Sequence, residues 1–263
     1  MSLFISSPSN PKVKDIVQLI TKARVRKSRE CCVVEGYREI QRALDCGWKA
    51  LDLWSLEGEE PEVDPRRFKD HYLASPKVFE KIAYRNTTEN AVAVFATPDV
   101  SMDGATTRLS NARGVLVLEG IEKPGNLGAI LRTALAAGVD AILLADPALD
   151  PFGPNVIRNA TGALFEAPLY IGTTAEVQSL LKEQGFSVYI THMHSDSKSI
   201  FDLDWSYKTA IVLGEESRGL QQEWLTQGYE NVIIPMESDT IDSLNVSVAA
   251  AIMMYQWKSK FGI

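Results

Sequence analysis

Six short runs recur between residues 114 and 236: GVLVLEG, DAILLAD, APLYIG, SVYITH, TAIVLGEE and NVIIPM. Most are near-continuous in Val, Ile and Leu, which suits a strand buried on both faces. Between them lie the helical patterns LGAILRTALAAG, NVIRNATGALF, TAEVQSLLKEQG and LQQEWLTQG, and a last apolar helix is expected from Ser243 onward. Strand and helix in alternation call for a parallel sheet with helices on both faces. Such sheets bind ligands beyond the carboxyl ends of their strands. The chemistry is therefore expected in the loops that follow these runs.

The first part of the chain alternates less regularly. PKVKDIVQLITKA places Val13, Ile16, Val17 and Ile20 at helical spacing. CCVVEG, KALDLW and NAVAVFATP read as strands, and YREIQRALDCG as a helix closed by Gly47. SPKVFEKIAY reads as a helix capped by Ser75, with Pro76 at its first position. Together these predict an α/β domain over residues 1–97. Residues 98–113 are polar, lack periodicity and contain Pro, Gly, Ser and Asn, so they are expected to form a linker. Residues 114–263 then form the second domain.

Composition narrows the functional classes. The chain has 263 residues, 45% hydrophobic and 23% charged, as expected of a globular protein. No apolar run is long enough to span a membrane, and the N-terminus lacks a basic start followed by a long apolar core, so a cytoplasmic protein is expected. Three cysteines without C-x-x-C spacing argue against a zinc site. His192 and His194 alternate in an expected strand with no third ligand nearby, so no metal is expected. The net charge of −7 disfavours a generic nucleic-acid binder. Against that average, Lys12, Lys14, Lys22, Arg24, Arg26, Lys27 and Arg29 are opposed only by Asp15. This stretch is either a solvated helix face or a basic arm aimed at phosphates.

Three loops carry candidate chemistry. In LEGIEKPGNLGAILRTALAAG a strand ends at Glu119 and a helix begins near Asn126. Gly120, Gly125 and Gly128 fit neither G-x-G-x-x-G nor a P-loop, which disfavours a dehydrogenase and a nucleotide hydrolase. Asn126 can be read as an N-cap; Arg132, among Ile130, Leu131, Ala134 and Leu135, needs an anionic partner, a ligand or a second subunit. In IVLGEESRGL, Gly214 would let a ligand approach the backbone while one glutamate orients a partner. In IPMESDTIDSLNVSVAAAI, Ser243 and Asn245 stand where an apolar helix begins, which local evidence alone reads as N-capping.

PGNLGAILRTALAAG, LGEESRG and IPM…SLNVSVAAAI, in that order, resemble the three motifs of the SpoU, or TrmH, family of RNA ribose 2′-O-methyltransferases. NVIRNATGALFEAPLY resembles the segment between the first two motifs. SNPKVKDIVQLITKARVRKSRECCVVEGYREIQRAL resembles the substrate-binding domain of two-domain members. The resemblance implies an N-terminal L30e-like α/β domain that binds RNA. It also implies a C-terminal α/β-knot methyltransferase domain, trefoil-knotted and mainly parallel, that binds S-adenosyl-L-methionine and forms a homodimer. Carried over, Gly214, Ile234, Met236, Leu244 and Asn245 would contact the cofactor, and Lys22, Arg24, Arg26, Lys27 and Arg29 the RNA. Asn126, Arg132, Glu216, Ser243 and Asn245 would be catalytic.

The resemblance further implies that the half-buried Arg132 assists removal of the 2′-hydroxyl proton. An arginine with a pKa above about 12 is a poor base. Its expected role is therefore to position the hydroxyl and stabilise the forming alkoxide, with a phosphate as a candidate proton acceptor. The two-domain layout favours 23S ribosomal RNA. The alternatives are a tRNA substrate, an antibiotic-resistance methylation, or an assembly factor without activity. The chain departs from the family pattern at Ser238, where a glycine is usual, and in ESDTID, which is one residue longer.

Overall fold

The computed structural model describes residues 2–83, 90–216, 218–237, 240 and 243–261. They form two compact units: Met1–Pro98 with Asp150–Glu166, and Asp99–Leu149 with Ala167–Ile263. The first unit opens with β1 (Leu3–Ile5), α1 (Pro11–Thr21), α2 (Ala23–Arg29), β2 (Cys31–Glu35) and α3 (Tyr37–Asp45). It continues with β3 (Ala50–Leu56), β4 (Asp70–Ala74), α4 (Pro76–Ile82) and β5 (Ala91–Ala96). The second unit begins with α5 (Met102–Ser110), β6 (Gly114–Glu119), α6 (Pro124–Ala137) and β7 (Ala141–Ala145). Next in sequence, α7 (Pro154–Ala160) and α8 (Ala163–Glu166) belong to the first unit. The second resumes with β8 (Leu169–Gly172), α9 (Thr174–Glu183), β9 (Ser187–Thr191), β10 (Lys198–Ser199) and β11 (Thr209–Leu213). It ends with α10 (Gln222–Leu225), β12 (Glu230–Ile233) and α11 (Val246–Phe261).

The first unit is a five-stranded sheet in the order β1-β4-β3-β5-β2. β1, β4 and β3 run parallel, and β5 is antiparallel to both β3 and β2. Val13, Ile16 and Leu19 of α1 share a core with Trp54, Tyr72, Phe79, Val92 and Val94. Two of these strands, LFI and DHYLA, escape a periodicity reading, because one is three residues long and the other starts with Asp70 and His71.

The second unit is a seven-stranded sheet in the order β10-β12-β9-β11-β6-β7-β8, parallel at every pairing. The apolar runs at β6, β7, β9 and β11 are strands buried on both faces, whereas β8 and β12 are mostly half-buried. Val115, Val117, Leu143, Val188, Ile190 and Val212 face a core with Val177 and Leu181 of α9 and Trp224 of α10. The alternate residues Leu116, Leu118, Ile142, Leu144, Ile211 and Leu213 are equally buried. On β6 the Trp257 ring lies so close that a Cβ at Gly114 would sit 2.2 Å from it. Within residues 98–113, expected as a linker, α5 occupies most of the stretch and buries Ala105 and Leu109 in the second unit's core. Two apolar residues in a helix rich in Gly, Thr and Ser leave too weak a period to read from sequence.

Because all seven strands are parallel, their carboxyl ends open on one edge of the sheet. β12, β9, β11 and β6 are consecutive neighbours there, so the loops after Ile233, Thr191, Leu213 and Glu119 are brought together.

Candidate active site

The helix after β6 starts earlier than expected. Pro124 is its first residue, Lys123 is the cap, and Asn126 lies inside the first turn. Asn126 is therefore not an N-cap, and its side chain is free for other work. Its Nδ2 donates to Glu216 Oε1, and its Oδ1 accepts from Asn245 Nδ2 at 3.1 Å. Asn245 Oδ1 in turn accepts from the Ser247 backbone N–H at 2.9 Å and the Ser247 hydroxyl at 2.6 Å. Asn245 thus caps α11 through one amide atom and holds Asn126 through the other. Capping and site-building are the two ends of one side chain.

The chain of bonds ends at Glu216. Its Oε2 is buried and, among the described residues, accepts no hydrogen bond. An unpaired buried carboxylate oxygen is costly.

Beside this cluster lies a cavity of about 840 Å³, lined among others by Gly214, Glu215, Glu216, Ile234, Met236 and Ser243. Leu244 and Val246 also line it, as do Thr191, His192 and Met193 at the end of β9. Of the expected cofactor contacts, Gly214, Ile234, Met236 and Leu244 stand on this wall and Asn245 does not. A Cβ at Gly214 would meet the Gly219 carbonyl carbon at 2.3 Å, so its bareness admits its own loop. Glu215 and Gly219 exchange both backbone hydrogen bonds, at 3.1 and 2.9 Å, and close the turn. Ser243 is exposed on the cavity wall. Ser238 lies outside the described residues.

Arg132 does not join the cluster. It is exposed, not half-buried, and among the described residues its side chain has no hydrogen-bond or ion-pair partner. The buried stripe of α6 is Asn126, Leu127, Ile130, Leu131, Ala134 and Ala137. Six residues after Asn126, at about 100° each, Arg132 points roughly 120° away from it.

The residues 113–255 match the SpoU rRNA Methylase family, and residues 10–93 match the MRM3-like substrate binding domain. The chain belongs to the SpoU rRNA Methylase family. It is 30% identical over 251 residues to 23S rRNA (guanosine(2553)-2′-O)-methyltransferase RlmP of Bacillus subtilis, covering 95% of this chain and 97% of that one. A crystal structure of an RNA 2′-O ribose methyltransferase superposes with a TM-score of 0.78 at 30% identity, covering 99% of this chain and 100% of that one. An AdoMet-bound rRNA methyltransferase from Sinorhizobium meliloti gives a TM-score of 0.86 at 27% identity, with 98% and 97% covered.

Several residues of this SpoU chain escape a sequence reading. Glu119, 1% exposed, ends β6. Its Oε1 accepts from Thr174 Oγ1 at 2.9 Å and Trp224 Nε1 at 2.8 Å, and its Oε2 from the Gln221 backbone N–H at 2.8 Å. One carboxylate so pins the loop that follows Gly219. The signal was a lone acid closing an apolar strand, since such a charge needs several donors. His192 and His194 lie beyond β9 rather than within it. Their rings stack at 6.0 Å, and Asp196 accepts from His194 Nδ1 at 2.6 Å, an arrangement that shapes the cavity wall. Among the described residues no group of three or more His, Cys, Asp or Glu side chains could hold a metal.

The basic stretch divides. Lys22, Arg24, Lys27 and Arg29 are exposed. Arg26 is 6% exposed and bonds Asp150 Oδ2 through Nε at 2.6 Å. It also donates to the Leu19 and Ile20 carbonyls at 2.5 and 3.1 Å. Burial against a carboxylate 124 positions away makes Arg26 a structural residue, which corrects its expected RNA contact.

Proposed function

We propose that this SpoU-family chain is an S-adenosyl-L-methionine-dependent RNA 2′-O-methyltransferase acting on large-subunit ribosomal RNA in the cytoplasm. The observation that carries the reading is the join of Asn126, Glu216 and Asn245 beside a cavity large enough for the cofactor, with Glu216 Oε2 still short of a donor. The cavity suits that group: Leu213, Ile233, Ile234, Leu244 and Val246 offer apolar surface to a purine, and Glu215, Glu216 and Ser243 offer polar atoms. When bound, S-adenosyl-L-methionine supplies an electrophilic methyl group. Asn126 and Asn245 fix the direction of the Glu216 carboxylate, which aligns the donor that Oε2 receives. Arg132 stabilises the forming alkoxide, and the proton leaves to a phosphate or to water.

The chain functions as a homodimer in this reading. Val248, Ala251, Ile252 and Tyr255 form an outward apolar row at i, i+3, i+4 and i+7 on α11, with Val248 47% and Tyr255 48% exposed. The opposite side of α11 buries Val246, Ala250, Met253, Met254 and Trp257. A helix apolar on both sides fits a second copy. Arg132, exposed on the helix packed against α11, then meets a site in the assembled dimer. Among the described residues no helix is long and apolar enough to cross a membrane.

The direct test is transfer of labelled methyl from S-adenosyl-L-methionine to protein-free 23S ribosomal RNA, with the ribose 2′-oxygen mapped as acceptor. No transfer to that RNA, with transfer to tRNA instead, would redirect the reading to the runner-up substrate.

The first unit is proposed to grip the RNA. Lys22, Arg24, Lys27 and Arg29 changed together to Gln, with Arg26 left intact to preserve its buried ion pair, should weaken RNA binding at least about tenfold. The salt dependence should flatten by about 0.7–0.9 for each phosphate that the variant no longer neutralises. Filter binding across a salt series checks this; unchanged affinity and slope would return the stretch to a solvated face.

A further inference from the structure

Residues 150–166 lie inside the stretch that matches the SpoU family, and they pack with the first unit. Their anchors are specific. Asp150 takes the buried Arg26, and its Oδ1 accepts from the Phe152 backbone N–H at 2.9 Å. The Trp48 ring meets Phe165 edge-on at 5.1 Å and Phe152 at 6.0 Å, and its indole N–H donates to the Phe165 carbonyl at 3.0 Å. Arg42 donates to the Thr161 carbonyl and covers Gly162, where a Cβ would come within 2.5 Å of Arg42 Cδ. The segment is thus a fixed part of the unit that matches a substrate-binding domain.

What this segment turns outward has a distinct chemistry. α7 buries Val156, Ile157 and Ala160 and packs against β2. Asn155, Arg158 and Asn159 are exposed at i, i+3 and i+4, which puts them on one side of the helix. Asn159 Nδ2 donates to the Asn155 carbonyl at 2.6 Å, which leaves its Oδ1 as an acceptor. The Arg158 guanidinium has no hydrogen bond or ion pair among the described residues, and its carbonyl accepts from the Thr161 N–H. Residues 151–165 contain no Asp or Glu, in a chain of net charge −7. The Arg26–Asp150 pair sets the start of this segment against α2, whose Lys22, Arg24, Lys27 and Arg29 neighbours are exposed. The start of the segment therefore adjoins α2 within one unit, and the α7 portion contributes no carboxylate of its own.

We propose that the outward face of α7, made of Asn155, Arg158 and Asn159, is a second RNA-contacting element of the first unit. Its ligand is the sugar–phosphate backbone: Arg158 takes a phosphate, and the two carboxamides take ribose hydroxyls and base edges. This rests on the RNA-substrate reading above. A backbone ligand fits because an acidic protein repels RNA except where carboxylates are missing, and because guanidinium and amide groups match phosphate and 2′-hydroxyl. It also explains why a segment between two strands of the catalytic sheet is built into the other unit. The RNA is then gripped by chain that continues directly into β7 and β8.

The test uses the full chain, a protein-free large-subunit ribosomal RNA transcript and filter binding across a salt series. Arg158→Gln should weaken binding about fivefold to tenfold and lower the log–log salt slope by about 0.7–0.9. Arg158→Lys should keep the slope. The Asn155→Ala/Asn159→Ala pair should weaken binding with the slope unchanged. Calorimetry should show wild-type cofactor affinity for all three, since none lines the cavity. Wild-type affinity and slope in Arg158→Gln, beside a weakened α2 variant, would overturn the proposal and leave α7 as a solvated face. An equal loss of slope in Arg158→Lys would overturn it as well, because charge would not be the cause. A wild-type chain that fails to bind the transcript would instead refute the RNA reading itself, a separate outcome.

Discussion

Arg132→Ala is expected to lower methyl transfer roughly 1,000-fold, about 4 kcal/mol of transition-state stabilisation, with cofactor affinity within about twofold of wild type. The size follows from the role: a cation placed where negative charge develops contributes chiefly in the transition state. Folding should be untouched, because Arg132 is exposed and without a partner among the described residues. Arg132→Lys restores charge without the planar fork, so it should recover only part of the rate. Single-turnover kinetics with saturating cofactor would read both. The position of Arg132, roughly 120° around α6 from Asn126, sharpens the test. Mixed dimers of Asn126→Ala and Arg132→Ala subunits contain one intact site if the arginine is supplied across the interface. They contain none if it serves its own chain. Partial recovery on mixing is the expected result. Full activity in Arg132→Ala alone would remove the residue from the chemistry.

The parts of this architecture that can be read from sequence share a physical cause. β6, β7, β9 and β11 announce themselves because burial on both faces leaves them mostly apolar. The parallel arrangement then requires the following loops to share an edge, while the resemblance to the SpoU family is what singles out Asn126, Glu216 and Asn245 within them. Their actual bonds span 90 and 119 positions and obey no spacing rule. Local rules misjudge residues whose partners are distant. Arg26 sits in a basic run like its neighbours, and only Asp150 makes it a core residue. Asn126 resembles a cap until the helix is seen to begin at Pro124. The packing of residues 150–166 with the first unit is likewise invisible, since strands precede and follow the segment in the usual order. Local pattern places the apolar core, and only the tertiary fold shows which polar residues are buried and against what.

Gly214→Ala should abolish cofactor binding, with affinity down at least about 100-fold, or roughly 2.7 kcal/mol. The added Cβ would lie 2.3 Å from the Gly219 carbonyl carbon and 2.5 Å from both the Gly219 oxygen and the Leu220 nitrogen. All three are backbone atoms, so no side chain can swing away. The backbone is also tied on both sides. Glu215 and Gly219 hold each other through two hydrogen bonds, and Glu119 holds the Gln221 N–H. The turn must therefore open, and overpacking of this kind costs about 1–3 kcal/mol before any binding is counted. Opening it displaces Glu215, Glu216 and Gly219 from the cavity wall and breaks the alignment of Glu216 with Asn126. Gly125→Ala is the natural contrast. It also alters a motif glycine, but a Cβ there meets nothing within 4 Å, so stability and cofactor affinity should stay near wild type. Calorimetric titration of the two variants separates a steric requirement from mere membership of a motif. Wild-type affinity in Gly214→Ala would mean that the turn from Glu215 to Gly219 does not wall the cofactor.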